Sequence, residues 1–90
     1  MYTLKRSTRK NKKFSINGIH FGDSRYEDFT SHKDEHRKSN YLTRHARREN
    51  WTKSGINTAG FWSRWLLWNK PTLQNSIKDT EKRFNIKIIN

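Results

Sequence analysis

Apolar and polar positions alternate at the start of the chain. Tyr2 and Leu4 are separated by polar residues, the period of a strand over 2–6. The clearest local signal follows in Phe14-Ser15-Ile16-Asn17-Gly18-Ile19-His20-Phe21. Asn-Gly supplies the two positive-φ positions of a type I′ turn. In that register Ile16 opposes Ile19 and Phe14 opposes Phe21 on one face, with Ser15 and His20 on the other. The pattern predicts a tight hairpin over 14–21. A lone hairpin is marginal in water, so its apolar face must pack on something.

Residues 22–30 read as a loop carrying two aromatic pegs, Tyr26 and Phe29. Ser31 is a suitable N-cap, with Asp34 and Glu35 in the first turn of a helix. No Gly or Pro interrupts that helix before Asn50, and its apolar stripe is thin: Tyr41, Leu42, Ala46 and then Trp51. Gly55 and Gly60 mark a connection over 52–60. The period then changes in Gly60-Phe61-Trp62-Ser63-Arg64-Trp65-Leu66-Leu67-Trp68, which holds three of the four tryptophans. At helical spacing Phe61, Trp65 and Trp68 share one face, and Trp62 and Leu66 lie on its flank. A helix over 59–68 that is apolar nearly all round must be buried, in its own core or in a partner.

Lys70-Pro71-Thr72 is a stop-and-restart signal, with Pro71 suited to the first turn of a new helix. Leu73, Ile77 and Phe84 mark one face of that helix, running to about Arg83. Ile86-Lys87-Ile88-Ile89 alternates like a strand. The expected fold is α+β: a small N-terminal antiparallel sheet, the hairpin 14–21 joined by strands 2–6 and 86–89, packed on two to three helices. Residues 1–13 form a basic strand or arm and 14–90 one small domain. The expected core is Phe14, Ile16, Ile19, Phe21, Leu42, Phe61, Trp65, Trp68, Leu73, Ile77 and Phe84.

Composition changes this picture in two ways. Only 30% of the 90 residues are hydrophobic, which leaves a modest core, and the 13% that are aromatic partly compensate. Twenty Lys and Arg against eight Asp and Glu give a net charge of +12, the electrostatic footprint of a polyanion binder. Two clusters carry it. Lys5, Arg6, Arg9, Lys10, Lys12 and Lys13 lie in the N-terminal arm, with Arg9 to Lys13 read as a basic loop. Arg37, Lys38, Arg44, Arg47 and Arg48 lie on the long helix. Cysteine is absent, which excludes a disulfide framework, a thiolate metal site and a cysteine nucleophile. No apolar run suits a signal peptide or a membrane span.

Enzyme signals are weak. His32 and His36 are four apart, the spacing that puts two imidazoles on one helical face, but Lys33 stands where a zincin has its glutamate base. His45 would lie about 140° away around the helix, too far for a third ligand. No metal and no cofactor are expected. There is no Gly-x-Ser-x-Gly elbow and no Gly-rich phosphate loop. Glu27-Asp28 is the one adjacent acidic pair, and a nuclease would need further carboxylates such as Asp23, Asp34 or Glu35 beside it. The tryptophans are assigned to packing and the basic residues to binding.

Four pieces of the chain resemble a small basic protein family of unknown function from large nucleocytoplasmic DNA viruses, the phycodnavirus and mimivirus relatives. These are His20-Phe21-Gly22-Asp23; Tyr26-x-Asp28-Phe29-Thr30-x-His32-Lys33-Asp34; Tyr41-x-x-Arg44-His45-x-x-x-Glu49-x-Trp51; and Gly55-x-x-Thr58-Ala59-Gly60 through Trp68-Asn69-Lys70-Pro71. The resemblance implies a viral setting, the virion and the host cytoplasm or nucleus during infection, and supplies no catalytic residues. The first functional expectation is a non-enzymatic, virion-associated module that binds nucleic acid through its phosphate backbone. The second is a minor capsid or cement protein docked on acidic surfaces of viral structural proteins. A metal-dependent enzyme is the third.

Overall fold

The computed structural model describes all 90 residues. The chain begins with strands β1 (Tyr2–Arg6), β2 (Lys12–Ile16) and β3 (Ile19–Asp23). Short helix α1 (Phe29–His32) and the longer α2 (Glu35–His45) follow. A 3-10 turn (Lys53–Gly55) leads into α3 (Ala59–Trp62), which runs on as a π-helical segment, Ser63–Leu67. Helix α4 (Leu73–Phe84) and strand β4 (Ile88–Ile89) end the chain. The class is α+β, with one four-stranded sheet in the order β3-β2-β1-β4.

The hairpin has the register its turn chemistry dictates: Ile16 pairs with Ile19, Ser15 with His20 and Phe14 with Phe21. Asn17 and Gly18 take φ of 47° and 85°, the left-handed pair of a type I′ turn. Gly18→Val should lower stability by more than about 1 kcal/mol, because valine resists that geometry even though open space surrounds the position. An unchanged thermal midpoint in this variant would contradict the turn.

The sheet is mixed. β1 runs antiparallel to β2, but β4 pairs with β1 in parallel, Tyr2 opposite Ile88. β2, β3 and all the helices lie between β1 and β4 in the chain, and α4 leads back to the sheet, as a parallel pairing needs a crossover. The N-terminal segment is therefore no free arm: β1 is an interior strand. The expected basic loop is also shorter, because Lys12 and Lys13 already belong to β2.

The single long helix expected from Ser31 is divided. Ser31 lies inside α1, whose N-cap is Asp28, accepting from the Thr30 N–H. Lys33 then turns left-handed at φ 56°. Asp34 restarts the helix, its carboxylate accepting from the N–H groups of His36 and Arg37. Asp outcompetes Ser here because a charged acceptor also complements the positive helix end. α2 stops at His45, short of Asn50. α4 likewise starts later than Pro71 suggests, with Thr72 as N-cap accepting from Asn75 N–H.

The core is Leu4, Ile16, Phe21, Phe61, Trp62, Trp65, Leu66, Leu67, Ile77 and Ile88. Phe14, Ile19, Trp68, Leu73 and Phe84 pack against it part-buried. Leu42 is replaced as the α2 anchor by Tyr41. The tryptophan segment is buried as expected, but its last turn is a π turn, with Trp68 N–H donating to Ser63 O at 3.0 Å. The wider turn brings Trp62, Leu66 and Leu67 into the core and leaves Trp68 at its edge. α4 is bonded to this segment through Thr80, whose hydroxyl donates to Trp65 O at 3.1 Å.

Candidate nucleic-acid interface

Two concavities meet on the side of the sheet where β2, the 24–28 turn and α2 converge. The first, about 410 Å³, is lined by Arg6, Ser7, Lys12, Lys13, Phe14, Ser24, Asp28, Thr30 and Ser31. Strand alternation explains two of its three cations. Arg6 pairs with Phe14 across β1 and β2, and Lys12 opposes Asp23 across β2 and β3. Arg6, Phe14 and Lys12 thus point to one face of the sheet. Four hydroxyl side chains, Ser7, Ser24, Thr30 and Ser31, complete the wall. Asp28, its one carboxylate, is buried and already engaged: Lys13 Nζ, the Thr30 hydroxyl and the Thr30 N–H all donate to it.

The second concavity, also about 410 Å³, shares Lys12, Lys13 and Asp28 with the first. Beyond them lie Gly22, Asp23, Tyr26 and Glu27 on one side, and Tyr41, Arg44, His45, Glu49 and the Ala59–Trp68 region on the other. The Lys13–Asp28 ion pair is the ridge between the two clefts. Gly22, at φ 80°, lets Leu67 pack closely on the sheet at the floor of the second one, since a Cβ there would sit 2.7 Å from Leu67 Cδ1.

The far wall is a column of rings. His32, Trp68, Tyr41 and His45 follow one another at centroid spacings of 5.3, 4.2 and 4.2 Å, with Trp68 and Tyr41 parallel to within 3°. Burial pushes the Tyr41 phenol up, so it stays protonated. Glu49 accepts from Trp51 Nε1 at 2.9 Å and lies 2.9 Å from His45 Nδ1.

The eleven basic residues singled out in the sequence divide by use. Lys13 is spent on Asp28. Lys38 is half-buried, donates to Asn69 O at 2.6 Å and lies 4.8 Å from the Phe29 ring centre, and burial lowers its pKa. These two are packing residues, not free phosphate ligands. Arg37 faces Glu27 at 3.8 Å across an exposed gap. Lys5, Arg6, Arg9, Lys10, Lys12, Arg44, Arg47 and Arg48 have no ion-pair partner and are exposed. The structure brings Lys12 of the first cluster and Arg44 of the second to one cleft. Lys5 is on the opposite face of the sheet, in a row with Ser15 and His20, so not all of the charge converges.

The His32/His36 pair does not form. The left-handed Lys33 puts the two on different helices, His32 Nδ1 accepts from Asp34 N–H at 3.0 Å, and its Nε2 is buried without a partner. Arg64, the one charged residue of the tryptophan segment, is half-buried: its guanidinium lies 4.2 Å from the Trp65 ring centre and donates to Trp68 O at 2.8 Å. The sequence pattern did not indicate the ring column. Part of its signal was present as Tyr41 and His45 four apart on α2, but Trp68 comes from a distant segment.

Residues 2–45 are similar to a family of unknown function, DUF5754. That stretch contains every residue of the first cleft, and Tyr26, Tyr41, Arg44 and His45 of the second. No curated protein and no solved structure matches the chain. No helix is long and apolar enough to cross a membrane.

Proposed function

We propose that the protein is a non-enzymatic module that binds nucleic acid through phosphate contacts, in the viral setting that the sequence resemblance suggests. One observation carries the reading: Arg6 and Lys12, both without ion-pair partners, share a hydroxyl-lined cleft whose single carboxylate is already neutralised. Arginine, lysine and the hydroxyls of Ser24 and Ser31 around a concavity suit a phosphate oxygen, which only accepts, while the Thr30 and Ser7 hydroxyls are bonded to Asp28 and His20. Arg9 and Lys10 in the adjoining turn, and Arg44, Arg47 and Arg48 at the end of α2, extend the positive field beyond the cleft. The net charge of +12 adds long-range attraction to any polyanion.

Affinity for a duplex should fall steeply with salt. If about five phosphates are engaged, log affinity against log salt should have a slope of roughly −4 to −5. Arg6→Gln and Lys12→Gln should each reduce that slope by about 1 on any sequence, because phosphate contacts carry no base information. Filter binding on two unrelated duplexes across a salt series measures this. Absence of binding to either at low salt would reject the reading and leave docking on a capsid protein in its place.

A further inference from the structure

The two clefts differ in chemistry as well as place. The first has three cations to one carboxylate and a wall of hydroxyls. The second has the same number of cations, Lys12, Lys13 and Arg44, but four carboxylates, and its surface is partly aromatic. That nearly balanced charge draws a phosphate less than the first cleft does, whereas an unpaired base has π faces to stack and amines to donate.

Tyr26 stands at the rim of that second cleft, 68% exposed, the most exposed aromatic ring of the protein. It adjoins an exposed ion pair on the same turn. Asp23 binds the neighbouring Arg25 through Nε at 3.1 Å and Nη2 at 2.9 Å, and that hydrogen-bonded pairing holds the Asp23 carboxyl down at about 2. The Arg25 guanidinium lies 5.9 Å from the Tyr26 ring centre. An aromatic ring held out at the mouth of a cleft, beside free cations, is the usual platform for a base in single-strand binders. Of the lining carboxylates, Asp23, Asp28 and Glu49 are occupied by Arg25, Lys13 and Trp51. Glu27 accepts no hydrogen bond; its only partner is Arg37, 3.8 Å away across an exposed gap, which leaves it oxygen lone pairs for a base amine.

We infer that the paired clefts hold one nucleotide of a single strand across the Lys13–Asp28 ridge, its phosphate at Arg6 and Lys12 and its unpaired base on Tyr26. The inference rests on the phosphate-binding reading and narrows it to single-stranded nucleic acid. A duplex reaches the cations but cannot place a base in the second cleft without flipping it out.

The test compares three labelled 20-nucleotide probes by fluorescence anisotropy at one low salt concentration: a mixed-sequence single strand, its duplex, and an abasic strand of equal charge. The intact strand should bind about tenfold tighter than the abasic one, the scale of one base stacked on an aromatic side chain. Tyr26→Ala should remove that advantage and leave duplex and abasic binding unchanged, while Tyr26→Phe, which keeps the ring, should preserve it. Equal binding of intact and abasic strands, or a Tyr26→Ala variant that keeps the preference, would overturn the base site while salt-dependent duplex binding stood. Failure of all three probes to bind would overturn both readings. Tyr26 is exposed, so its replacement leaves the core intact.

Discussion

Gly55→Ala is expected to lower the thermal midpoint by about 10 °C or more, although it adds a single methyl group. Gly55 is buried at the end of the 3-10 turn, and a Cβ there would stand 2.1 Å from the Asn50 carbonyl oxygen and 2.9 Å from its carbon. Those are backbone atoms, so no flexible side chain can swing away. Asn50 is itself fixed, its side chain accepting from Thr52 N–H at 2.9 Å and donating to Ser54 Oγ at 2.7 Å. Gly55 O is held from the other side by the Thr58 N–H and hydroxyl. The turn must therefore open, and with it Trp51, whose carbonyl accepts from Trp65 Nε1 at 2.9 Å. Overpacking costs about 1–3 kcal/mol, and a lost buried hydrogen bond adds about 1 kcal/mol. For a domain of this size each kcal/mol is worth roughly 4–8 °C. Circular dichroism melts of Gly55→Ala beside wild type measure the shift. A midpoint within about 2 °C of wild type would mean the 50–55 turn is not packed as described.

What could be read from the sequence was what local chemistry decides. Asn17-Gly18 admits little besides a type I′ hairpin, and the turn then fixes every pair from Ile16–Ile19 to Phe14–Phe21. The amphipathic face of α4 was equally local, and so was the α+β class, while of the strand expected over 86–89 only Ile88–Ile89 forms. Competition between neighbouring signals was harder. Ser31 and Asp34 can both cap, and Lys33, with no glycine or proline to announce it, takes the left-handed turn that lets Asp34 prevail.

Long-range contacts decided the use of the basic residues. Nothing near Lys13 or Lys38 in sequence tells that Asp28 and the Asn69 carbonyl will claim them. Arg44, with no such claimant, keeps its place on the binding surface. The same blindness covered the second cleft. Tyr26 was visible as an aromatic in a polar loop, and Phe29 three residues later looked equivalent. The fold separates them, burying Phe29 under Lys38 and leaving Tyr26 in water at the rim of the cleft that Arg44 and Lys12 also line.

Trp62→Ala should remove about 3 kcal/mol, from about a quarter to more than half of the stability of a domain this size. Trp62 is the largest side chain with no exposed surface, lying edge-on to Phe61 at 4.9 Å and tilted against Tyr2 at 5.3 Å. Helical spacing put it on the flank of the aromatic face; the π turn and the sheet close over it and make it central. Replacing a buried tryptophan by alanine costs about 3–5 kcal/mol, and a domain of this size holds only about 5–13 kcal/mol in total. One feature works the other way. The indole N–H is buried without an acceptor, and removing it relieves a penalty of about 1–3 kcal/mol. The net loss should therefore fall toward the lower end, near 3 kcal/mol. Trp62→Phe separates the two effects, because it keeps an aromatic ring against Phe61 and Tyr2 and deletes the stranded donor. It should cost less than about 1.5 kcal/mol. Urea unfolding followed by circular dichroism gives both values. If alanine and phenylalanine destabilise equally, ring packing is not what Trp62 contributes; if alanine costs under about 1 kcal/mol, Trp62 is not at the centre of the core.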